Sequence, residues 1–441
     1  MKIKSIQVKK LFGVFEHKVP VNNESGITII IGENGLGKTV FLEMIEAFFR
    51  GNYLYFNDVD FEEMIFSFDD GIEWILKRED NPIGILALSL TQTNKNKTTY
   101  KPIKLIEYNS EQADYLANRI RRNNPHLRRV GSNFWQDRRT GERFLSEELI
   151  FRYGHTIQRD LFSQEEDKPK WYLDKYEKID VSLIETQRLI LTERTDENRP
   201  ERTVEKYSRE LSQTIKRYLT ESTELSSKLD RTYPNRLIER LKESTNPTEE
   251  DLNRELKRLE AKREILDTVG LIEIEKDSNI LEIENPGNEL IDVLMLYVED
   301  SFKKIELFDN ISRKIEILLG IINKRFKHKR LIIDKDEGFL FESTIIKDKE
   351  GIFQKIPVTK LSSGEQNELV LFYLLLFETK ENSLILIDEP EVSLHISWQN
   401  SFIDDLKEIT KLNNLDVVIA THSPDIIANN WDLKVELKGL E

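Results

Sequence analysis

A mixed α/β fold, divided between the two ends of the chain and interrupted by a helical hairpin arm, is predicted by three observations. Near the start, the apolar run Ile27–Ile31 leads into Gly32-Glu33-Asn34-Gly35-Leu36-Gly37-Lys38-Thr39 and then an amphipathic stretch. Near the end, the runs Leu384–Ile387 and Val417–Ala420 stop at polar residues, Asp388 and Glu389 after the first and Thr421 and His422 after the second. Short buried strands that deliver polar groups at their C-terminal ends belong to an α/β sheet. Between the two ends, residues 196–266 change character: charge dominates, and the sparse apolar residues keep heptad spacing.

The elements follow in order. Met1–Val8 alternates polar with apolar residues and reads as a strand. A helix begins at Lys38 and buries Phe41, Leu42, Ile45 and Phe48. Within residues 60–108, Ile72–Leu76 and Gly84–Leu90 read as antiparallel strands. Residues 110–178 are polar and arginine-rich, with no clear period. Val181–Arg188 is a strand that ends at Gln187. Leu211, Ile215, Tyr218, Leu225 and Leu229 fall at steps of 4, 3, 7 and 4, and Leu252, Leu256, Leu259 and Leu266 at 4, 3 and 7. Pro234 and Pro247 lie between the two series and are expected to interrupt the helix. Two antiparallel helices of roughly 25 residues would make an arm about 40 Å long. Residues 288–328 continue as helix, and Leu331–Ile333 and Phe339–Phe341 as strands. The expected division is a head from 1–190, with an insertion at about 110–178; an arm from 191–270; a helical segment from 271–330; and the rest of the head from 331–441.

Composition narrows the function. Lys plus Arg number 65 and Asp plus Glu 80, a net charge of −15, so the overall field repels nucleic acid and any contact with it needs a local basic patch. Cysteine is absent, which excludes disulfides and thiolate metal sites. The longest apolar run, Leu369–Phe377, has nine residues, against the about 20 that span a bilayer. No apolar signal segment follows the first lysines. A cytoplasmic protein with no membrane span is expected.

Gly32–Thr39 is a complete phosphate loop in the required strand–loop–helix setting. Asn34, Gly35 and Gly37 let backbone N–H groups wrap a triphosphate at a helix N-terminus. Lys38 is placed to neutralise the β- and γ-phosphates of ATP, and Thr39 to ligate Mg²⁺. Asp388 would hold the same metal, and Glu389 would act as general base on the attacking water. Leu361-Ser362-Ser363-Gly364-Glu365-Gln366 alone reads as a serine N-cap with Gln366 in the box position. Its place about 20 residues before the two carboxylates is what lifts it above an ordinary cap.

Arg119, Arg121, Arg122, Arg128, Arg129, Arg138, Arg139 and Arg143, set against Asp137 and Glu142, give the segment Arg119–Arg143 a charge of 8 − 2 = +6. Phe134 and Trp135 lie among them. This composition suits nucleic acid, a protein interface, or pairing with the chain's own acids equally well.

Taken together, these motifs resemble ABC-type AAA family ATPases of the RecF/Rad50/overcoming-lysogenisation-defect group, with a RecF/SMC-like head. The resemblance implies that Ser362, Ser363 and Gly364 bind the γ-phosphate held by a second protomer. It implies that Gln187 senses Mg²⁺ and the attacking water, that His422 contacts the γ-phosphate, and that Ser393-Leu394-His395 crosses the dimer seam. Four stretches, Leu183–Leu189, Leu361–Leu369, Leu394–Gln399 and His422–Leu433, are most similar to the PtuA ATPases of the Septu anti-phage defence system. That similarity implies a homo-oligomer of head-to-head dimers and a separate HNH nuclease partner (PtuB-like). Eighteen residues follow Ser423 in this sequence, so no built-in TOPRIM nuclease is expected. The alternative is a RecF-like repair ATPase that grips DNA through its arginine segment.

Overall fold

The computed structural model describes residues 2–21, 24–79, 87–94, 100–106, 110–131, 134–139, 141–146, 149, 168–185, 190–194, 200–243, 247–274, 283, 286–392 and 394–439. They form two compact units, Met1–Thr186 with Thr379–Glu441, and Gln187–Glu378.

The first unit begins with β1 (Ile3–Leu11), β2 (Phe15–Pro20), β3 (Ile27–Ile31) and α1 (Lys38–Phe49). Next come β4 (Glu63–Phe68), β5 (Glu73–Glu79), β6 (Ala87–Thr93) and β7 (Ile103–Ile106). The insertion contributes α2 (Ser110–Asn123), β8 (Leu127–Arg129), β9 (Phe134–Asp137), β10 (Arg143–Leu145) and α3 (Lys170–Tyr176). β11 (Val181–Ile184) closes this part.

The second unit follows with β12 (Ile190–Arg194), β13 (Pro200–Arg202), α4 (Thr203–Glu243), α5 (Glu249–Thr268), α6 (Asn288–Glu306) and α7 (Asp309–Arg325). It ends with β14 (Lys329–Asp334), β15 (Gly338–Lys347), β16 (Phe353–Ile356) and α8 (Ser363–Tyr373). The chain then returns to the first unit as β17 (Leu384–Asp388), α9 (Ile396–Gln399), α10 (Phe402–Asn413), β18 (Asp416–Ala420), α11 (Pro424–Ile427) and β19 (Lys434–Glu436).

Five of these strands form an all-parallel sheet in the order β11-β17-β18-β3-β19. β17 and β18 are buried at every position, as unbroken apolar runs in a covered parallel sheet should be. Both chain ends therefore lie side by side, Ile30 opposite Ala420 and Asp388 opposite Ala420. A separate antiparallel sheet runs β2-β1-β4-β5-β6-β7; its strands β5 and β6 hold Glu73–Leu76 and Ala87–Leu90 of the two stretches read as antiparallel, while Gly84, Ile85 and Leu86 lie outside the described residues. α1 fills the layer between: Phe41, Leu42, Ile45 and Phe48 are buried, and Phe48 stacks on Phe66 at 4.7 Å between ring centroids.

The helical insertion is present, but two details of the expectation are corrected. α4 does not stop at Pro234; it runs 41 residues through it, about 60 Å rather than 40. A proline removes one N–H and crowds the carbonyls of the preceding turn. Just past the proline, Arg236 donates to the Leu229 carbonyl at 2.9 Å and its fork grips both oxygens of Asp300 on α6 at 2.6 Å, which ties the helix to its neighbour there. The second detail is the neighbour of the first helix: α6 packs along both α4 and α5. Leu252 and Leu256 of the second heptad series join Ile291 and Val298 of α6 in one cluster. The hairpin β14–β15 docks on α4 through Ser208, whose hydroxyl donates to the Glu337 carbonyl and accepts from the Phe339 amide, both at 2.8 Å.

Candidate nucleotide site

β3 ends at Ile31, and the next six residues turn back to start α1. Gly35 and Gly37 take φ of 87° and 79°, a region that favours glycine. A Cβ at Gly37 would meet Leu11 and the Phe12 ring at about 3 Å, so only glycine lets the loop pass the β1–β2 turn. No atom lies within 4 Å of the Cβ position at Gly35, so the loop is open there.

Lys38 folds over this loop. Its Nζ donates to the carbonyls of Gly32 at 2.8 Å and Glu33 at 3.0 Å, and to Nδ1 of His422 at 3.3 Å. Burial lowers the Lys38 ammonium below its ordinary value, against the pull of Glu389, Asp388 and Glu391. An ammonium that donates to Nδ1 leaves the His422 proton on Nε2, which faces Glu389 Oε1 at 3.5 Å. The Glu389 amide bonds the Ala420 carbonyl at 2.9 Å, and Glu389 itself sits at φ 42°, a strained position for a non-glycine.

Thr39 Oγ1 lies 3.1 and 3.0 Å from the two oxygens of Asp388, putting a hydroxyl and a carboxylate at one point. Burial raises the Asp388 carboxyl, Thr39 opposes this, and Glu389, Glu43 and Glu391 add to it. One hydroxyl and one carboxylate beside a phosphate cradle fit Mg²⁺, which keeps waters and phosphate oxygens for its other positions. Among the described residues no cluster of three or more His, Asp or Glu forms a ready-made metal cage.

Asn34, Gly35, Gly37, Lys38, Thr39, Asp388, Glu389 and His422 thus converge on one loop. Gln187 and Ser393 lie outside the described residues. In the second unit, Ser362 and Ser363 are exposed and Gly364 is half-buried at the N-terminus of α8. The cap is Ser362, and its box partner is Glu365 rather than Gln366. Glu365 accepts from the Ser362 amide at 2.9 Å and from Lys329 at 2.9 Å. Gln366 turns inward to the Leu361 carbonyl at 2.7 Å. Burial would raise the Glu365 carboxyl, but Lys329 and Ser362 outweigh it and hold it below the usual range.

Three residues at this site escaped the sequence reading. Phe12 is 43% exposed at φ 54° beside Gly37. The buried His17 bonds the Leu36 carbonyl through Nε2 at 2.7 Å. Glu391 accepts the His422 amide at 2.7 Å. Glu391 was legible as a third carboxylate just after Glu389; the other two carry no motif signal.

The profile of the AAA ATPase domain matches residues 1–427. The chain belongs to the AAA ATPase domain family. Curated relatives of this ATPase-family chain match only in part. UvrABC system protein A of Mycoplasma genitalium is 28% identical over 151 residues, 34% of this chain and 13% of that protein. Protein ea59 of Escherichia phage lambda is 29% identical over 130 residues, 29% of this chain and 22% of that protein. The match therefore spans less than a quarter of either relative. Among solved structures, the Smc head domain of Pyrococcus furiosus bound to the C-terminal domain of ScpA shares 13% identity, covering 97% of this chain and 91% of that one at a TM-score of 0.32. A structure of the recombination mediator RecF shares 12%, covering 96% and 93%, at 0.26. Among the described residues no helix is long and apolar enough to cross a membrane.

Proposed function

We propose that this chain is an ATP-hydrolysing regulatory subunit whose heads close in pairs around Mg²⁺-ATP. The observation that carries the reading is the line from Lys38 through His422 to Glu389, set beside the Thr39–Asp388 pair. Lys38 would leave the Gly32 and Glu33 carbonyls for the β- and γ-phosphates, and the N–H groups of Asn34–Thr39 would wrap them. Thr39 and Asp388, with Gln187, would hold Mg²⁺, which offsets phosphate charge when bound. Glu389 would take the proton of the attacking water, with His422 Nε2–H holding its carboxylate and contacting the γ-phosphate side. Ser362, Ser363 and Gly364 would present the hydroxyls and N-terminus of α8 to the nucleotide of a second copy.

Resemblance to the Septu ATPases supports the finer reading: a cytoplasmic anti-phage sensor that restrains or licenses a separate HNH nuclease. Co-purification with the product of a neighbouring HNH gene tests that partner; failure to associate with or without ATP would remove it.

The composite site has its own test. Lys38→Ala and Ser363→Arg should each be inactive alone. In an equal mixture each pair that joins the two variants carries one intact composite site of two, so about a quarter of wild-type turnover should return if pairing is random and about half if only mixed pairs form. A mixture as inactive as its components would show that the signature turn does not act across protomers.

A further inference from the structure

The small sheet of the insertion has two unlike faces. Directly paired residues of antiparallel strands project to the same side. Leu127 pairs with Asp137, and Trp135 with Phe144; these four are buried. Trp135 Nε1 donates to Ser146 Oγ at 3.0 Å, and Ser146 donates to Asp114 at 2.6 Å. Arg129 packs over Trp135 and pairs with Asp114, while Arg139 pairs with Asp137. Among the described residues of the Arg119–Arg143 segment, these two arginines are the ones paired with acids.

The opposite face carries two cross-strand rows. One is Arg128–Gln136–Arg143 and the next is Val130–Phe134–Leu145. Phe134 is 50% exposed, and the guanidinium groups of Arg128 and Arg143 are exposed with no ion pair or hydrogen bond among the described residues. Arg121, Arg122 and Arg138 are exposed in the same way.

We propose that this outer face binds single-stranded nucleic acid, Arg128 and Arg143 each taking a phosphate while a base stacks on Phe134. The two arginines lie on strands two apart, so their origins are roughly 10 Å from each other with the aromatic row alongside. In a chain of net charge −15, guanidinium groups without an acidic partner among the described residues select a polyanion. The exposed ring selects unpaired bases, because a duplex hides its base faces. The inference does not depend on hydrolysis at the nucleotide site.

The test is fluorescence anisotropy of a labelled oligothymidylate with the full chain, without ATP, across a salt series, with duplex DNA and heparin as competitors. Arg128→Ala with Arg143→Ala should weaken binding at least about tenfold and flatten the log–log salt slope by about 1.4, roughly 0.7 for each phosphate no longer neutralised. Phe134→Leu should weaken oligonucleotide binding about 5- to 150-fold, the range set by the stacking energy of one base, with the salt slope and heparin affinity unchanged. All three side chains are exposed, so melting temperatures should stay at the wild-type value. Oligonucleotide binding absent at low salt, or equal in wild type and variants, would overturn the proposal. So would duplex competing as well as single strand, or the arginine variant losing only an acidic protein partner.

Discussion

Arg325 and Glu368 form an ion pair behind the helix that carries Ser362–Gly364, and it yields a sharp prediction. Their side chains are 3% and 0% exposed, and the guanidinium lies 4.9 Å from the Phe372 ring centroid. Glu368→Leu removes the carboxylate and leaves a buried cation, at a cost of about 3–5 kcal/mol. For a unit of this size each kcal/mol moves the midpoint by about 2–4 °C, so a fall of about 6–20 °C is expected. Replacing both partners, Arg325→Met with Glu368→Leu, removes the charge and its desolvation together and should be neutral or up to about 4 kcal/mol more stable than wild type. The four-member cycle, read by thermal unfolding, should therefore show a coupling of several kcal/mol. A Glu368→Leu protein as stable as wild type would refute the reasoning. So would a double variant that loses the sum of both single effects.

Three further outcomes follow from backbone, proline and charge. Gly338→Ala should destabilise the second unit by at least about 2 kcal/mol, because φ is 76° and the new Cβ would press on the Ser208 carbonyl; denaturant midpoints check it. Pro234→Ala should raise the melting temperature of the same unit, since an interior proline costs a helix about 3 kcal/mol relative to alanine; a lower midpoint would show that the proline is needed. Partial burial, with Glu210 nearby, raises the Glu378 carboxyl above 4.5, and because the residue stays exposed at its edge, solvent screening keeps the effect on stability small. The folded state therefore binds that proton more tightly, and stability falls as pH rises from 4.5 through the raised value. Glu378→Gln should be more stable than wild type above that window and no different well below it; a constant difference at all pH values would contradict the assignment.

The parallel sheet and its loop were legible because each rests on a local signal: a five-residue run, apolar but for Thr28, before Gly32, and unbroken apolar runs before Asp388 and Thr421. The pairing of Thr39 with Asp388 followed from motif identity, although 349 positions separate them. Pro234 misled because the breaker rule is local, whereas the helix is held on both sides of it by packing on α6, to which Arg236 is tied through Asp300. β8, β9 and β10 have three or four residues each, too short to show a period of two. Phe12 and His17 gave no signal, since their roles arise only where the β1–β2 turn meets the loop after β3.

Glu389→Gln should block proton removal while leaving the nucleotide cradle intact. Light scattering of this variant, without nucleotide and then with Mg²⁺-ATP, tests the pairing of heads most directly. The account predicts that ATP doubles the mass and that adding Ser363→Arg abolishes the doubling. An unchanged mass with nucleotide demonstrably bound would contradict it.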